Sequence, residues 1–360
     1  MAPSSPLAAM RKRRQVAAVG YVIVGAVPAA DLVLEGGGMK GIGLGGAIGA
    51  LMRAGYRFER VAGTSAGAIA GALVAAGISE PELADAMARL RYERVPDRGL
   101  PRIPLLSEGI SLLHDGGAYE GDYIHRFVRD ELAALGVRTF GDLRRSDPGA
   151  DANLPPERSY ALVVMATDIT HGRLLRLPWD YALLGLDPDE QLVADAVRAS
   201  ISIPLYFDPV VVRDGETGER VTLVDGGVLS NYPIEIFDRT DLRPPRWPTL
   251  GVKVVPELSA GQRELFPGIA LPALPPVRLL EQVVATAIVA HDQSYLERPC
   301  VRRRTIAVDT RAVGIVEFDA SARQRAMLIA NGAAAAQAFL ATWDWDAFRR
   351  ACPDVPTAAA

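Results

Sequence analysis

The chain has 360 residues, 49% of them hydrophobic, which is ample for one large globular domain or two small ones. Its 39 Lys and Arg against 43 Asp and Glu leave a net charge of −4, which argues against a nucleic-acid surface; Arg302-Arg303-Arg304 is too short to reverse that. Cys300 and Cys352 allow at most one bridge and imply no disulfide framework, and with no metal-ligand spacing visible no metal or other cofactor is expected.

Residues 1–15 are basic and irregular, and Val16 to Ala30 is an apolar run broken by Gly20, Gly25 and Pro28. Arg11 to Arg14 followed by such a run resembles a secretory signal and is too short for a comfortable membrane span. Cleavage after Ala30 would strip the first core strand of any leader, so an extra N-terminal extension is the favoured reading and export the alternative. Asp31 to Glu35 then reads as a short buried strand, followed by Gly36-Gly37-Gly38-Met39-Lys40-Gly41 and a helix from Gly43. Tyr56 to Ala62 is a second strand, leading into Gly63-Thr64-Ser65-Ala66-Gly67 and an alanine-rich helix to Ala76. Further on, Asp168 ends another apolar run, and Val221 to Val224 is a buried strand that ends on Asp225-Gly226-Gly227. Short apolar runs alternating with helical patterns predict an α/β layered fold.

The stretch Leu265 to Pro276 is apolar and proline-rich, which bars a regular helix or central strand. It reads as a packed connection or, more sharply, as an interfacial loop that meets lipid. Ala333 to Ala336 lies in a helix-favouring stretch before Phe339 and Trp343.

Each glycine motif has an ordinary explanation. Gly36, Gly38 and Gly41 fit the G-x-G-x-x-G of a dinucleotide site, but the acidic residue expected at the end of the next strand is missing, since Glu59 precedes Val61-Ala62. Gly63, Ser65 and Gly67 fit G-x-S-x-G, a sharp strand-to-helix turn that exposes a serine at a helix N-terminus, where the dipole favours negative charge. Neighbouring parallel strands deliver their following loops to one edge, which would set the Gly37 and Gly38 amides beside Ser65 as an oxyanion hole. Lys40 would add positive charge at the rim, or simply be a solvated surface lysine. For a base, Asp225 at a strand end is better placed than His291, which falls in an amphipathic helix; His114, His125 and His171 all precede Asp225. Asp168, which ends another strand-like run, reads either as facing the same crevice or, the favoured reading, as a loop or cap aspartate. A serine acyltransferase needs a histidine partner that is not well placed here, and a nucleotide-binding module leaves the Ser65 and Asp225 pair unexplained.

Taken in order, these three motifs resemble the patatin-like phospholipase family, with its G-G-G-x-[KR]-G loop, G-x-S-x-G elbow and D-G-[AG] loop. Matching runs include Gly121-Asp122, Phe140 to Leu143, Ala166 to Asp168, Ala199 to Pro204, Phe207 to Val210 and Asn231 to Pro233, with a looser match through Gly314 to Asp319. The resemblance implies a three-layer α/β/α sandwich with a mainly parallel central sheet. It implies a catalytic domain over 31–238, after an extension over 1–30 and before a C-terminal extension over 239–352. The implied chemistry is hydrolysis of fatty-acyl esters by a Ser65–Asp225 dyad through an acyl-enzyme, with the Gly37 and Gly38 amides on the oxyanion. Apolar neighbours such as Val224, Leu229 and Phe207 would raise the Asp225 pKa by desolvation. The expected partner is a lipid or phospholipid met in the cytoplasm or at a membrane surface.

Overall fold

A computed structural model describes residues 28–97, 117–145, 156–239, 245–254 and 298–352, with scattered positions between 279 and 287. Expectations for Arg11 to Arg14, His114, Leu265 to Pro276 and His291 therefore lie outside the described residues.

Because Leu32, Val33 and Leu34 are all buried, the first strand, β1 (Ala29–Leu34), has no solvent face, as suits a central parallel strand. It starts two residues earlier than the sequence pattern indicates. β2 (Arg57–Thr64) and β9 (Thr249–Lys253) flank it in parallel. β10 (Thr305–Ala307) pairs beyond β9, and β4 (Leu162–Asp168) pairs beyond β2, giving the parallel order β10-β9-β1-β2-β4. Residues beyond 239 thus supply two strands of this same sheet. Three strands complete it through antiparallel pairings: β5 (Arg173–Leu177) and β8 (Arg220–Asp225) on β4, and β7 (Val210–Arg213) on β8. A separate parallel pair joins β3 (Gly117–Tyr119) to β6 (Leu205–Phe207).

The register around β4 positions the site. Val164 and Met165 pair with both β2 and β5, so those two strands occupy opposite edges of β4. Ala166 to Asp168 pair with both β5 and β8, so β8 must share the β2 edge. β2 ends with Thr64 opposite Met165, and β8, running the other way, ends with Asp225 opposite Ala166. The two strands meet end to end, one residue step apart, a rise of about 3.3 Å.

Helices cover one face of the sheet: α1 (Ile42–Arg53), α2 (Ala66–Ala75), α3 (Glu80–Arg89), α4 (Asp122–Ala134), α5 (Val193–Ser200) and, later in the chain, α7 (Ala322–Leu340). Leu32, Leu34, Val61, Leu162 and Val164 point into that layer. Val33, Ala62, Val163 and Met165 point the other way, against Tyr232, Ile234 and Phe237 and against Val301 of the short α6 (Pro299–Arg302). The molecule is the α/β/α arrangement with a mainly parallel central sheet that the resemblance implies. Cys300 and Cys352 are joined in one disulfide, Cα–Cα 5.8 Å, which ties α6 to the end of α8 (Trp345–Ala351). Among the described residues no single helix is long and apolar enough to cross a membrane.

Candidate active site

Ser65 follows β2 directly and precedes α2, with φ 52° and ψ −121°, a conformation a non-glycine residue holds only where its surroundings impose it. The flanking glycines explain how the turn closes. A Cβ on Gly63 would lie 2.3 Å from the Gly67 carbonyl oxygen, and one on Gly67 would lie 2.3 Å from that of Leu34. Any side chain there would push the helix off the strand. The Ser65 N–H donates to Ser200 Oγ at 2.9 Å, and its carbonyl accepts from Ala68 at 2.8 Å.

The glycine loop after β1 touches this turn: a Cβ on Gly36 would sit 3.1 Å from that of Ser65. Asn231 clamps Gly36 from both sides, its carbonyl accepting the Gly36 N–H and its Nδ2 donating to the Gly36 carbonyl, each at 3.1 Å. Gly38 has φ +52°, and a Cβ there would fall 2.2 Å from the Ile315 oxygen. Among the described residues neither the Gly37 nor the Gly38 N–H has an internal acceptor; Gly38 is partly exposed, whereas Gly37 is buried.

Asp225 ends β8 against Ser65 and is 2% exposed. Its Oδ1 accepts the Gly227 N–H at 2.8 Å, which shows why Gly226-Gly227 must turn at once. Burial raises its pKa from 3.8 to about 7, against opposing pulls from the Gly227 amide and the Ser65 hydroxyl. That hydroxyl lies near enough to lower the value, yet Oδ2 accepts no hydrogen bond of ordinary geometry. The two groups are therefore close but not aligned for a hydrogen bond. Val224 and Phe207 are buried, as expected of its neighbours, and Leu229 is half-buried.

A crevice opens beside Ser65. Its walls are almost wholly apolar, including Ile69, Met87, Leu90, Ile124, Ile201, Ile203, Phe207 and Phe318, with Gly38 and Gly41 on one side. Such a slot matches a hydrocarbon chain better than a nucleotide.

Lys40 departs from expectation. It is neither a rim charge nor solvated: only 4% exposed, its Nζ donates to the carbonyls of Thr310, at 3.0 Å, and Val313. Desolvation lowers its pKa, partly offset by Glu317, Asp309 and Glu35. The Met39 N–H donates to Ile315 at 2.7 Å, so the segment from Thr310 to Phe318 braces the glycine loop and lends Phe318 to the crevice.

Asp168 is structural, as the sequence favours. Its carboxylate accepts from the Thr170 and His171 amides, the His171 ring and Arg173. Burial alone would raise its pKa, but those bonds outweigh it and hold it below the usual range. His125 pairs with Asp195 at 2.7 Å, and neither His125 nor His171 lines the crevice. Sequence reasoning assigned no role to Ser200, Asn231 or Phe318; the runs Ala199 to Pro204 and Asn231 to Pro233 were the only signal for the first two.

A family model described as patatin-like phospholipase matches residues 32–238. An uncharacterized protein of Bacillus subtilis, YqhO, is 40% identical over 227 residues, spanning 63% of this chain and 71% of that protein. An uncharacterized NTE family protein of Mycobacterium tuberculosis is 30% identical over 211 residues, covering 57% of this chain but only 27% of its own length. Among solved structures, VipD from Legionella pneumophila is similar with a TM-score of 0.48 and 21% identity, over 87% of this chain and 67% of VipD. ExoU from the type III secretion system of Pseudomonas aeruginosa, solved in complex with SpcU, has a TM-score of 0.43 and 19% identity, over 87% of this chain and 53% of ExoU.

Proposed function

The chain belongs to the patatin-like phospholipase family, and from that premise we propose that it cleaves fatty-acyl esters of lipids with Ser65 as nucleophile and Asp225 as its base. The observation that carries this reading is the end-to-end meeting of β2 and β8, which sets a buried carboxyl against the serine at the mouth of an apolar crevice. Ser65 Oγ attacks the ester carbonyl while Asp225 takes the hydroxyl proton, and the carbonyl oxygen, now negative, is held by the Gly37 and Gly38 amides. One such donor is worth about 3 kcal/mol of barrier. Collapse expels the alcohol portion, protonated by Asp225, and leaves an acyl-enzyme on Ser65. Water then loses a proton to Asp225 as it attacks the acyl carbonyl, and Asp225 returns that proton to Ser65 Oγ as the fatty acid leaves.

A carboxyl with pKa near 7 is a competent base at neutral pH, where an ordinary aspartate is too weak. The crevice would hold the acyl chain, and a long-chain substrate would be met at a membrane surface, with an exported protein as the alternative setting. Ser65→Ala and Asp225→Asn should each abolish ester hydrolysis in a folded protein, and the double variant should be scarcely worse than either. Incubation with a mixed lipid extract, followed by mass spectrometry, would name the head group and acyl position. A folded Ser65→Ala protein with near wild-type esterase activity would overturn the reading.

A further inference from the structure

We propose that Ser200 is a positioning residue that holds the nucleophile in its reactive pose, an inference that rests on the Ser65–Asp225 reading above. Ser65 is held at φ 52° and ψ −121°, and strained backbone of this kind persists only where neighbours over-determine it. Among the described residues, the backbone bond that reaches it from outside its own turn runs from its N–H to Ser200 Oγ, 2.9 Å, between two residues that are 5% and 0% exposed. Two residues on, the Ser202 carbonyl accepts the Asp225 N–H at 2.8 Å. One short stretch at the end of α5 therefore contacts the backbone of both reacting residues. Between and beyond those contacts, Ile201 and Ile203 line the crevice.

The stretch is itself anchored. Ser202 Oγ accepts from Arg198 at 2.6 Å and donates to the Arg198 carbonyl at 3.0 Å, while Arg198 also donates to the Asp208 carbonyl at 3.0 Å. Ser200 thus presents a fixed acceptor. Without it the buried Ser65 amide has lost its partner, and the turn relaxes toward an unstrained conformation that swings Oγ off line. A misplacement near 1 Å costs about 100-fold in rate while leaving the binding surface in place.

The test uses the full chain, a soluble short-chain p-nitrophenyl ester and a fluorophosphonate that labels the nucleophilic serine. Ser200→Ala should lower kcat and the labelling rate together by about 10- to 100-fold, with KM within about twofold. Ser200→Thr, which keeps the acceptor, should recover most of that loss. Leu132→Ala, a cavity in α4 away from the crevice, should lower thermal stability while leaving kcat unchanged. If Ser200→Ala cannot be folded, Ser200→Cys, with similar volume and a weaker acceptor, carries the same comparison. Wild-type kcat and labelling in either variant, a change confined to KM, or a stably folded Ser200→Thr as slow as Ser200→Ala would each overturn the positioning role. Inactive Ser65→Ala beside a fully active Ser200 variant would leave the dyad standing; active Ser65→Ala would remove both.

Discussion

Replacing Asp225, the proposed base, should make the protein more stable, and by an amount that depends on pH. Asp225 has its pKa raised from 3.8 to about 7, chiefly by burial. The folded state therefore binds a proton that the unfolded chain has already lost, and this contribution to stability is full below pH 3.8 and declines as pH rises through about 7. Above that the ionised carboxylate costs the native state at most about 4 kcal/mol, at 1.36 kcal/mol per tenfold. Asn cannot ionise, and its Oδ1 can still accept the Gly227 N–H. Asp225→Asn should thus exceed wild type by less than about 1 kcal/mol at pH 4 and by up to about 4 kcal/mol at pH 8.5. Urea denaturation of both proteins at the two pH values measures this directly, with other titrating groups cancelling in the difference. With Asp225 as the proposed base, the same ionisation sets activity, so wild-type kcat/KM should climb to a plateau above about pH 7. A stability gain equal at both pH values, or larger in acid, would refute the account of Asp225 as a desolvated carboxyl.

Other perturbations probe the surrounding frame. Lys40→Met keeps the stem but deprives the Thr310 and Val313 carbonyls of a buried donor; a loss of about 1–3 kcal/mol in a thermal melt, together with reduced kcat, is expected. Gly38→Ala meets both a positive φ and the Ile315 oxygen, so kcat should fall at least about 100-fold, the scale of one lost oxyanion donor, measured on a soluble ester. Phe266→Ser combined with Leu271→Ser should weaken hydrolysis of phospholipid vesicles while sparing a soluble short-chain ester; parallel loss of both, or of neither, would make that stretch ordinary packing.

What could be read from the sequence was whatever the chain writes locally. The glycine loop, the Ser65 elbow and the Asp225 turn are each a few residues whose small size answers a backbone crowding at that spot, and the apolar runs before them mark the strands. Contacts between distant segments leave no such mark. Lys40 reads as a solvated lysine because its partners, Thr310 and Val313, lie far along the chain in a stretch of no clear periodicity. Ser200 is one serine in a helix end, and only the fold reveals that its hydroxyl meets the nucleophile. The direction of β8 was equally hidden, since Val221 to Val224 reads the same whether parallel or antiparallel to β4. A lone Phe318 likewise carries no sign that it will wall a crevice built mainly from earlier helices.

The meeting of β2 and β8 also bears on when the chain becomes chemically dangerous. A ribosome completes Ser65 long before it reaches Asp225, and until β8 descends along β4 that serine is an ordinary alcohol with no proton acceptor beside it. On the proposed mechanism neither half acts alone, and the reactive pair depends on a contact between remote segments, the kind that carries a large closure cost. On that mechanism a chain whose β8 has not yet paired with β4 has no base beside Ser65 and so cannot attack an ester. The sheet register doubles as a safety interlock.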